Sequence, residues 1–262
     1  AGHIIECGAQ ATGGNYAFFT EVPGLEHPGL PIAEVASDGS SVITKHDGTG
    51  GMVTVGTVTA QLLYEVGGPE YLNPDVTARF DTIRLEQVGR DRVLISGTVG
   101  QAPPERLKVA MNYLGGFRNS LSLVITGMDV EAKAALLLRT IAGVTLEQAA
   151  SLDPVALASA STLDVMDLSV ELQRSGVIDP VSPSEAQSFL RITVKDADAA
   201  KVGKPFTERV IEATLSSYPG LFPTTPPGPA SPYGVYWPTT VARDEVPVEV
   251  RVDGVLLDGV GS

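Results

Sequence analysis

The 262-residue sequence has little of what the commoner catalytic sites require. Its single cysteine, Cys7, excludes an internal disulfide and any multi-cysteine metal site. Its three histidines, His3, His27 and His46, lie far apart and show no H-x-H or H-x-x-x-H spacing, so we expect no metal site. The motifs G-x-S-x-G and G-x-x-x-x-G-K-[ST] are also absent, which argues against a serine hydrolase and against a P-loop.

Long apolar runs and positive charge are missing as well. No run approaches the ~20 apolar residues that span a bilayer, and no basic segment precedes an apolar one as in a signal peptide. We therefore expect a cytoplasmic protein without a membrane partner. The formal net charge of −13 repels phosphate backbones, so we expect no nucleic-acid partner. Any anionic ligand would need a local concentration of Lys or Arg.

The segments in the first half predict strands around a helix. PIAEVAS and SSVITK flank Asp38-Gly39, a pair that favours a hairpin. MVTVGTVTAQLLYEV predicts a helix that stops at Gly67. Four segments after Thr77 predict an antiparallel meander: ARFDTIRLEQV, RVLISGTV, LKVAMNYL and RNSLSLVITG. The run VEAKAALLLRTIAG then predicts a second helix, which closes on a glycine.

The second half predicts a different kind of unit. QSFLRITVKDAD followed by PFTERVIEATLSSY predicts a strand and a helix of split-βαβ type. The aromatic-rich stretch YPGLFPTTPPGPASPYGVYWP predicts an extended strap packed on the body, and PVEVRV with VLLDGV predicts a last hairpin. We therefore predict an α+β fold, with an antiparallel or mixed sheet and packed helices. Its domains would be residues 1–145, with the glycine-rich loops and the meander, and residues 146–262.

The segment HIIECGAQATGGNYAFF gathers several functional residue types near the start of the sequence. Glu6 is a candidate general base and the adjacent Cys7 a candidate nucleophile. The substrate-binding candidates here are glycines that let a ligand approach the backbone and side chains that bear amides: Gln10, Gly13, Gly14 and Asn15. In the alternative interpretation, Cys7 is a small buried hydrophobe and the glycines only build turns.

A second candidate site lies in TKHDGTGGMVT. A predicted strand leads into Lys45, and a loop with three glycines then leads into a predicted helix. Exposed N–H groups in such a loop form an anion site, to which Lys45, a candidate catalytic residue, adds charge. The substrate-binding candidates in this loop are Thr49, Gly50 and Gly51. The alternative is a tight strand-to-helix turn. We expect the bends at residues 8–14 and 48–51 to direct their amides into one pocket.

Long segments of the chain resemble a known family. GHIIECGAQATGGNYA, GLPIAEVASDGSSVITKHDGTGGMVTVGTVTAQLLYEV, YLNPDVTARFDTIRLEQVGRDRVLISGTVG and LKVAMNYLGGF closely resemble the acyclic terpene utilisation protein A (AtuA) family, and the likeness covers nearly the whole chain. Members commonly read K-P-P-G-T-G-G where this chain has KHDGTGG. His46 and Asp47 are therefore poor candidates for shared chemistry, whereas Lys45, Thr49, Gly50 and Gly51 are better ones.

The resemblance also implies a partner and a pathway. Family members carry a further α/β segment before the G-H-x-x-E-C-G-A-Q motif. We therefore expect a separate or cleaved N-terminal half to complete the site, in a homo- or hetero-oligomer. The family name implies catabolism of citronellol- or geraniol-like acids as CoA thioesters. We expect no cofactor beyond that acyl-CoA substrate, because the sequence shows no biotin-attachment motif and no nucleotide fingerprint.

Three functional interpretations stay open at this point. The first is a hydratase or lyase, with Glu6 as base and glycine amides around the thioester carbonyl. The second is a non-catalytic subunit or scaffold of an acyl-CoA-processing, carboxylase-associated complex. The third is a metal-dependent enzyme that uses His3, Glu6 and residues of the further segment.

Overall fold

The computed structural model describes residues 1–257 as two compact units. Unit 1 contains residues 1–109 and the described residues from 239 onward, and unit 2 contains residues 110–238. The boundary that the sequence analysis places between residues 145 and 146 lies inside unit 2, and as a statement about domains it stays a prediction.

The elements have the following bounds. The helices are α1 Gly2–Ile5, α2 Val55–Leu62, α3 Val130–Ala142, α4 Leu146–Ser151, α5 Pro154–Ala160, α6 Ala199–Val202 and α7 Lys204–Leu215. The strands are β1 Pro31–Val35, β2 Ser41–Lys45, β3 Glu70–Leu72, β4 Thr77–Arg79, β5 Arg84–Gly89, β6 Arg92–Ser96, β7 Val99–Gln101, β8 Arg106–Ile125, β9 Asp167–Gln173, β10 Ser188–Asp196, β11 Leu221–Pro223, β12 Ser231–Ala242, β13 Arg251–Val252 and β14 Val255–Leu256.

Unit 1 is built on an antiparallel sheet with the strand order β1-β2-β6-β5. The predicted hairpin around Asp38-Gly39 is confirmed: β1 pairs with β2, and Asp38 accepts a 2.9 Å hydrogen bond from the Ser40 amide. Ile43 on β2 and Val93 on β6 are fully buried and form the centre of a small core with Val58 of α2. The strand pairs β3-β4 and β4-β7 form a second, three-stranded sheet.

The predicted helix of unit 1 is confirmed as α2, but it ends at Leu62 and not at Gly67 as the sequence predicts. Thr54 caps it: the Thr54 side chain accepts from the Thr57 amide, and the Thr57 side chain accepts from the Thr54 amide. This reciprocal cap fixes where the helix begins, immediately after the glycine-rich loop. Val58 and Leu62 lie one turn apart on the buried face, which anchors the helix on the sheet.

Unit 2 has the strand order β11-β8-β10-β9, and β12 also pairs with β8. The helices α3 to α5 connect β8 with β9, and β10 lies between these two strands. This arrangement is a split-βαβ unit that the sequence did not predict. The predicted strand and helix are β10 and α7. The chain passes from β10 through α7 to β11, and β8 lies between β10 and β11, which confirms the predicted split-βαβ unit. One face of the sheet is apolar and packs against buried residues of α3 and α7, such as Leu137 and Phe206.

The predicted meander is wrong in two respects. Residues expected to form two strands on either side of Gly115-Gly116 form one strand, β8, and β8 pairs with β10, β11 and β12 instead of β6. Glycine is required at position 116 because the backbone of β10 lies close to it, and not because the chain turns there. Gly116 has φ +119°, and a Cβ at this position would lie 2.6 Å from the Asp196 carbonyl oxygen.

The aromatic strap is extended, as expected. It contains β11 and most of β12, which pair with β8. Tyr236 and Trp237 are about half exposed, so these two side chains of the strap lie outside the core. The last predicted hairpin is confirmed as β13 and β14, although part of VLLDGV lies outside the described residues. Taken together, the helices and antiparallel sheets confirm the α+β class.

Candidate functional site

A cavity of about 740 Å³ in unit 1 lies where three loops meet, and we call it the Lys45 cavity. The glycine-rich loop contributes residues 48–51, and the start of α2 contributes residues 52–54. The turn between β5 and β6 contributes Gln87 and residues 89–91. Lys45, at the end of β2, lines the same space. The second candidate site of the sequence analysis therefore lies at a cavity.

The Lys45 ammonium is held inside this cavity with little access to water. Its side chain is only 6% exposed, and Nζ donates a 2.8 Å hydrogen bond to the Thr49 carbonyl oxygen. The Thr49 hydroxyl donates in turn to the His46 carbonyl oxygen at 2.7 Å. Lys45 thus fixes the glycine-rich loop and places a positive charge where the surroundings screen it weakly.

Asp91 is the acidic partner of Lys45. Its Oδ2 lies 3.7 Å from Lys45 Nζ, and its Oδ1 accepts a 2.8 Å hydrogen bond from the Val53 amide. Asp91 has φ +53°, the left-handed conformation that turns favour in Asp and Asn. Among the cavity's lining residues, all of them in the described part of the chain, Asp91 is the only carboxylate.

Gln87 joins the β5–β6 turn to the start of α2. Its Nε2 lies within hydrogen-bonding distance of the Val53, Gly89 and Arg92 carbonyl oxygens, at 3.1, 2.7 and 3.1 Å. Its Oε1 accepts from the Val55 amide at 3.2 Å. One side chain therefore ties two walls of the cavity together. Neither Gln87 nor Asp91 could be selected as a site residue from the sequence, because only the pairing of β2 with β6 shows that their turn adjoins the glycine-rich loop.

The expectation that the glycine amides point into a common pocket is wrong. Gly50 and Gly51 donate to the carbonyl oxygens of His27 and Pro23, at 3.0 and 2.7 Å. Gly13 and Gly14 donate to those of Gln10 and Ala9, at 2.9 and 2.8 Å. These N–H groups hold the backbone together and are not free for a ligand. The Gly48 amide, by contrast, donates to no acceptor within residues 1–257.

The two glycine-bearing bends nevertheless touch. The Met52 amide donates to the Thr12 carbonyl oxygen at 2.9 Å, and a Cβ on Gly51 would lie 2.5 Å from the same oxygen. Only the later bend lines the cavity, through Thr49, Gly50 and Gly51. The earlier candidates are absent from its lining: Gln10, Gly13, Gly14 and Asn15. Their role in substrate binding stays a prediction.

Glu6 lies in a separate cluster around His3. Its Oε1 is 3.4 Å from His3 Nδ1, and about half of its side chain is exposed. The largely buried imidazole packs on the rings of Tyr71 and Phe80, with centroids at 5.1 and 5.5 Å, and the Gln61 amide donates to the His3 carbonyl oxygen at 2.9 Å. Glu6 does not line the Lys45 cavity, so a catalytic role for it stays a prediction.

Cys7 is a half-buried free thiol beside Tyr64. The charge of Glu65 raises the pKa of Tyr64 above its usual range, and Cys7 adds to the rise, while a hydrogen bond from Gln10 opposes it. Cys7 is also absent from the lining of the Lys45 cavity, and its role as a nucleophile stays a prediction.

Two features are absent from residues 1–257. This part of the chain has no group of three or more His, Cys, Asp or Glu side chains arranged to hold a metal ion. Over the same residues, no helix combines the length and the apolar character needed to cross a membrane.

Comparison with known proteins identifies one family. The model of the family described as "Acyclic terpene utilisation family protein AtuA" matches residues 1–252, which include every residue of the Lys45 cavity. No curated protein and no solved structure matches the chain significantly.

Proposed function

Because the chain belongs to the acyclic terpene utilisation family AtuA, we propose that it is an enzyme acting on branched acyl-CoA thioesters derived from acyclic terpenes. Family membership connects the chain with the utilisation of acyclic terpenes. Our proposal adds the reaction type, which is a hydration or a carbon–carbon cleavage. It also adds the place of the reaction, which is the Lys45 cavity.

The weakly exposed Lys45 ammonium is the observation that carries this proposal. In a hydration or a cleavage next to a thioester, negative charge develops on the carbonyl oxygen in the transition state. A fixed ammonium stabilises that charge more strongly in a site with little water than at an open surface. Gly48 lines the same cavity, and in this proposal its amide, which donates to no acceptor within residues 1–257, is a second donor for the oxygen.

Asp91 takes the role of base in this proposal. Hydration removes a proton from the attacking water, and cleavage of a 3-hydroxy thioester removes one from the hydroxyl group, so both need a base within reach of the substrate. Asp91 provides a carboxylate inside the cavity, 3.7 Å from the ammonium that holds the carbonyl. Glu6, the base expected from the sequence, lies elsewhere.

The size of the cavity also supports a small organic substrate. Its volume of about 740 Å³ falls within the range of ~300–1,000 Å³ that is typical of ligand sites. Pro23 and Met52 add apolar lining against which a branched hydrocarbon chain can pack. Lys45 and Arg90 outnumber Asp91 in the lining, so the cavity is locally positive in a chain with a net charge of −13.

Turnover of defined thioesters tests the proposal. Purified protein is incubated with the CoA thioester of a branched acyclic 2,3-unsaturated acid, and separately with its 3-hydroxy counterpart. Mass spectrometry then detects addition of water to the first or fragments of the second. We expect Lys45→Met to lower kcat/KM by about 100-fold, because it removes the charge that stabilises the transition state.

His46→Ala is the matched control, because His46 is exposed in the same loop and does not line the cavity. A wild-type protein without turnover of either thioester contradicts the proposal. So does a Lys45→Met protein that is as active as His46→Ala. A Lys45→Met strain that grows normally on acyclic terpenes would favour the non-catalytic subunit instead.

A further inference from the structure

Unit 2 has a cavity of about 530 Å³ on the face of its sheet that the helices leave uncovered. On β8, Leu121 and Leu123 are buried against the helices, whereas Ser120 and Ser122 lie on the opposite face because side chains alternate along a strand. Residues 225–231 form the other wall of this cavity, which we call the unit 2 groove.

The floor of the groove is a pair of hydroxyl groups. Ser120 of β8 lies directly opposite Thr193 of β10, and their side-chain oxygens are 2.8 Å apart. Arg118 precedes Ser120 by two residues, and Arg191 precedes Thr193 by two residues on the antiparallel neighbour. The two arginines therefore lie at opposite ends of the hydroxyl pair, each ~7 Å from it along its own strand.

The positive charge in the groove is incompletely neutralised. The Arg118 guanidinium has no ion-pair or hydrogen-bond partner within residues 1–257, although the Arg118 carbonyl oxygen accepts a hydrogen bond from the Ser231 hydroxyl at 3.5 Å. Its cross-strand neighbour Lys195 is already paired with Asp167, at 3.3 Å. Arg191 contacts Glu171 at 3.6 Å, and both of these side chains are more than half exposed. The lining of the groove thus carries one more positive than negative charge, in a chain of net charge −13.

The outer wall of the groove is held in place by the protein itself. Asn119 is buried, and its side-chain amide donates to the Val202 and Gly228 carbonyl oxygens, at 2.9 and 3.1 Å. At the other end, the Thr224 amide donates to the Ser122 carbonyl oxygen at 2.9 Å. A ligand that enters the groove therefore loses little affinity to ordering of this wall.

We propose that the unit 2 groove binds a phosphate-bearing small molecule, with the phosphate above the Ser120–Thr193 pair and between Arg118 and Arg191. Guanidinium groups donate two hydrogen bonds to a phosphate in a fixed fork. One hydroxyl of the Ser120–Thr193 pair donates to the other, and the second hydroxyl is left to donate to a phosphate oxygen. Donors from two sides and from below match a tetrahedral oxyanion better than a planar carboxylate. This site does not depend on the reaction proposed for the Lys45 cavity.

Calorimetric titration of the full chain tests the site. Inorganic diphosphate and coenzyme A are titrated separately at physiological ionic strength, where weak surface attraction is screened. We expect Arg118→Gln to weaken binding by about tenfold, since it removes charge-assisted hydrogen bonds. The Arg118 guanidinium has no partner within residues 1–257 that the substitution would remove, so this variant should fold normally, which circular dichroism verifies.

Arg139→Gln is the matched control. Arg139 is an exposed arginine of α3, which packs on the other face of the same sheet, and within the described residues it has no ion-pair partner. We expect this variant to bind like wild type. If Arg118→Gln weakens the binding of coenzyme A, the ligand carries a nucleotide phosphate. If it weakens the binding of diphosphate and coenzyme A does not bind, the ligand is a free phosphate. Absence of binding to wild type, or equal weakening by both variants, would overturn the site.

Discussion

The ammonium of Lys45 lies 3.7 Å from the carboxylate of Asp91, although the two residues are 46 positions apart and belong to different hairpins. Pairing of β2 with β6 brings the ends of these hairpins together. The glycine-rich loop, the cap of α2 and the β5–β6 turn then close around the pair.

Replacing the two candidate bases separates their roles. We expect Asp91→Asn to lower kcat by about 100-fold with KM little changed, because it removes the base but keeps the shape of the side chain. Glu6→Gln should change kcat by less than about threefold, since Glu6 lies outside the cavity and pairs with His3. Steady-state kinetics on the active thioester measure both effects. If Glu6→Gln is inactive and Asp91→Asn keeps its activity, the active centre lies in the His3 cluster and not in the Lys45 cavity.

Gln87→Ala should destabilise unit 1. The substitution removes the partner of the Val55 amide and of several carbonyl oxygens. Because Gln87 is exposed, water replaces part of these hydrogen bonds, so we expect the free energy of unfolding to fall by about 0.5–1.5 kcal/mol. Urea denaturation measures the change. Gln101→Ala is the control, because Gln101 is exposed and its side chain makes no hydrogen bond within residues 1–257. Equal midpoints for the two variants would show that Gln87 does not tie the walls together.

Gly50→Ala should be far more damaging than Gly67→Ala. A Cβ on Gly50 would lie 1.9 Å from the Gly24 carbonyl oxygen, which is backbone and has no rotamer by which to move away. A Cβ on Gly67 would meet nothing within 4 Å. We expect the free energy of unfolding to fall by about 3 kcal/mol or more for Gly50→Ala and by less than ~1 kcal/mol for Gly67→Ala. Thermal unfolding of both proteins tests this difference.

Tyr218 in unit 2 should make stability fall at high pH. Burial raises its pKa to about 12, because the phenolate form would be poorly solvated. The folded state therefore holds this proton at pH values where the unfolded state has lost it. Below the ordinary tyrosine pKa of 10.0 the group leaves the free energy of unfolding unchanged, and the free energy of unfolding falls as the pH rises from there toward about 12. The hydroxyl is buried and has no hydrogen-bond partner among the described residues, so Tyr218→Phe should keep or raise stability at neutral pH.

Spectrophotometric titration and urea denaturation at several pH values check this prediction. Tyr218→Phe should remove the last step of tyrosine ionisation and the alkaline loss of stability. Tyr113→Phe, at a half-exposed position, serves as the control. A Tyr218→Phe protein that unfolds more easily at neutral pH would show that the hydroxyl has a partner in solution.

Local patterns predicted much of this fold. The Asp38-Gly39 hairpin, α2, α3 and the β10–α7 unit follow from turn residues and hydrophobic period, which act over a few neighbouring positions. Strand pairing over long distances was not predictable in the same way. Gly115-Gly116 has the composition of a turn, yet it lies inside β8, because Gly116 allows close approach of the Asp196 backbone.

The candidate site shows the same limit. Lys45 and the glycines after it could be selected from the sequence, since a lysine beside a glycine-rich loop indicates an anion site. The hydrogen bonds of those glycines could not be predicted, and they occupy the amides that we expected to be free. Asp91 and Gln87 were predicted only as parts of a hairpin. Their place in the cavity depends on the β2–β6 pairing, which has no local signal.

Photoaffinity mapping tests the central claim most directly. A branched acyl-CoA analogue with a photoreactive group on its acyl chain is irradiated with the protein, and the labelled peptide is identified by mass spectrometry. Our account predicts labelling within residues 45–54 or 87–91, competed by the unmodified thioester and lost in Lys45→Met. Competed labelling on the segment around Glu6 and Cys7, with none on the residues of the Lys45 cavity, would contradict it.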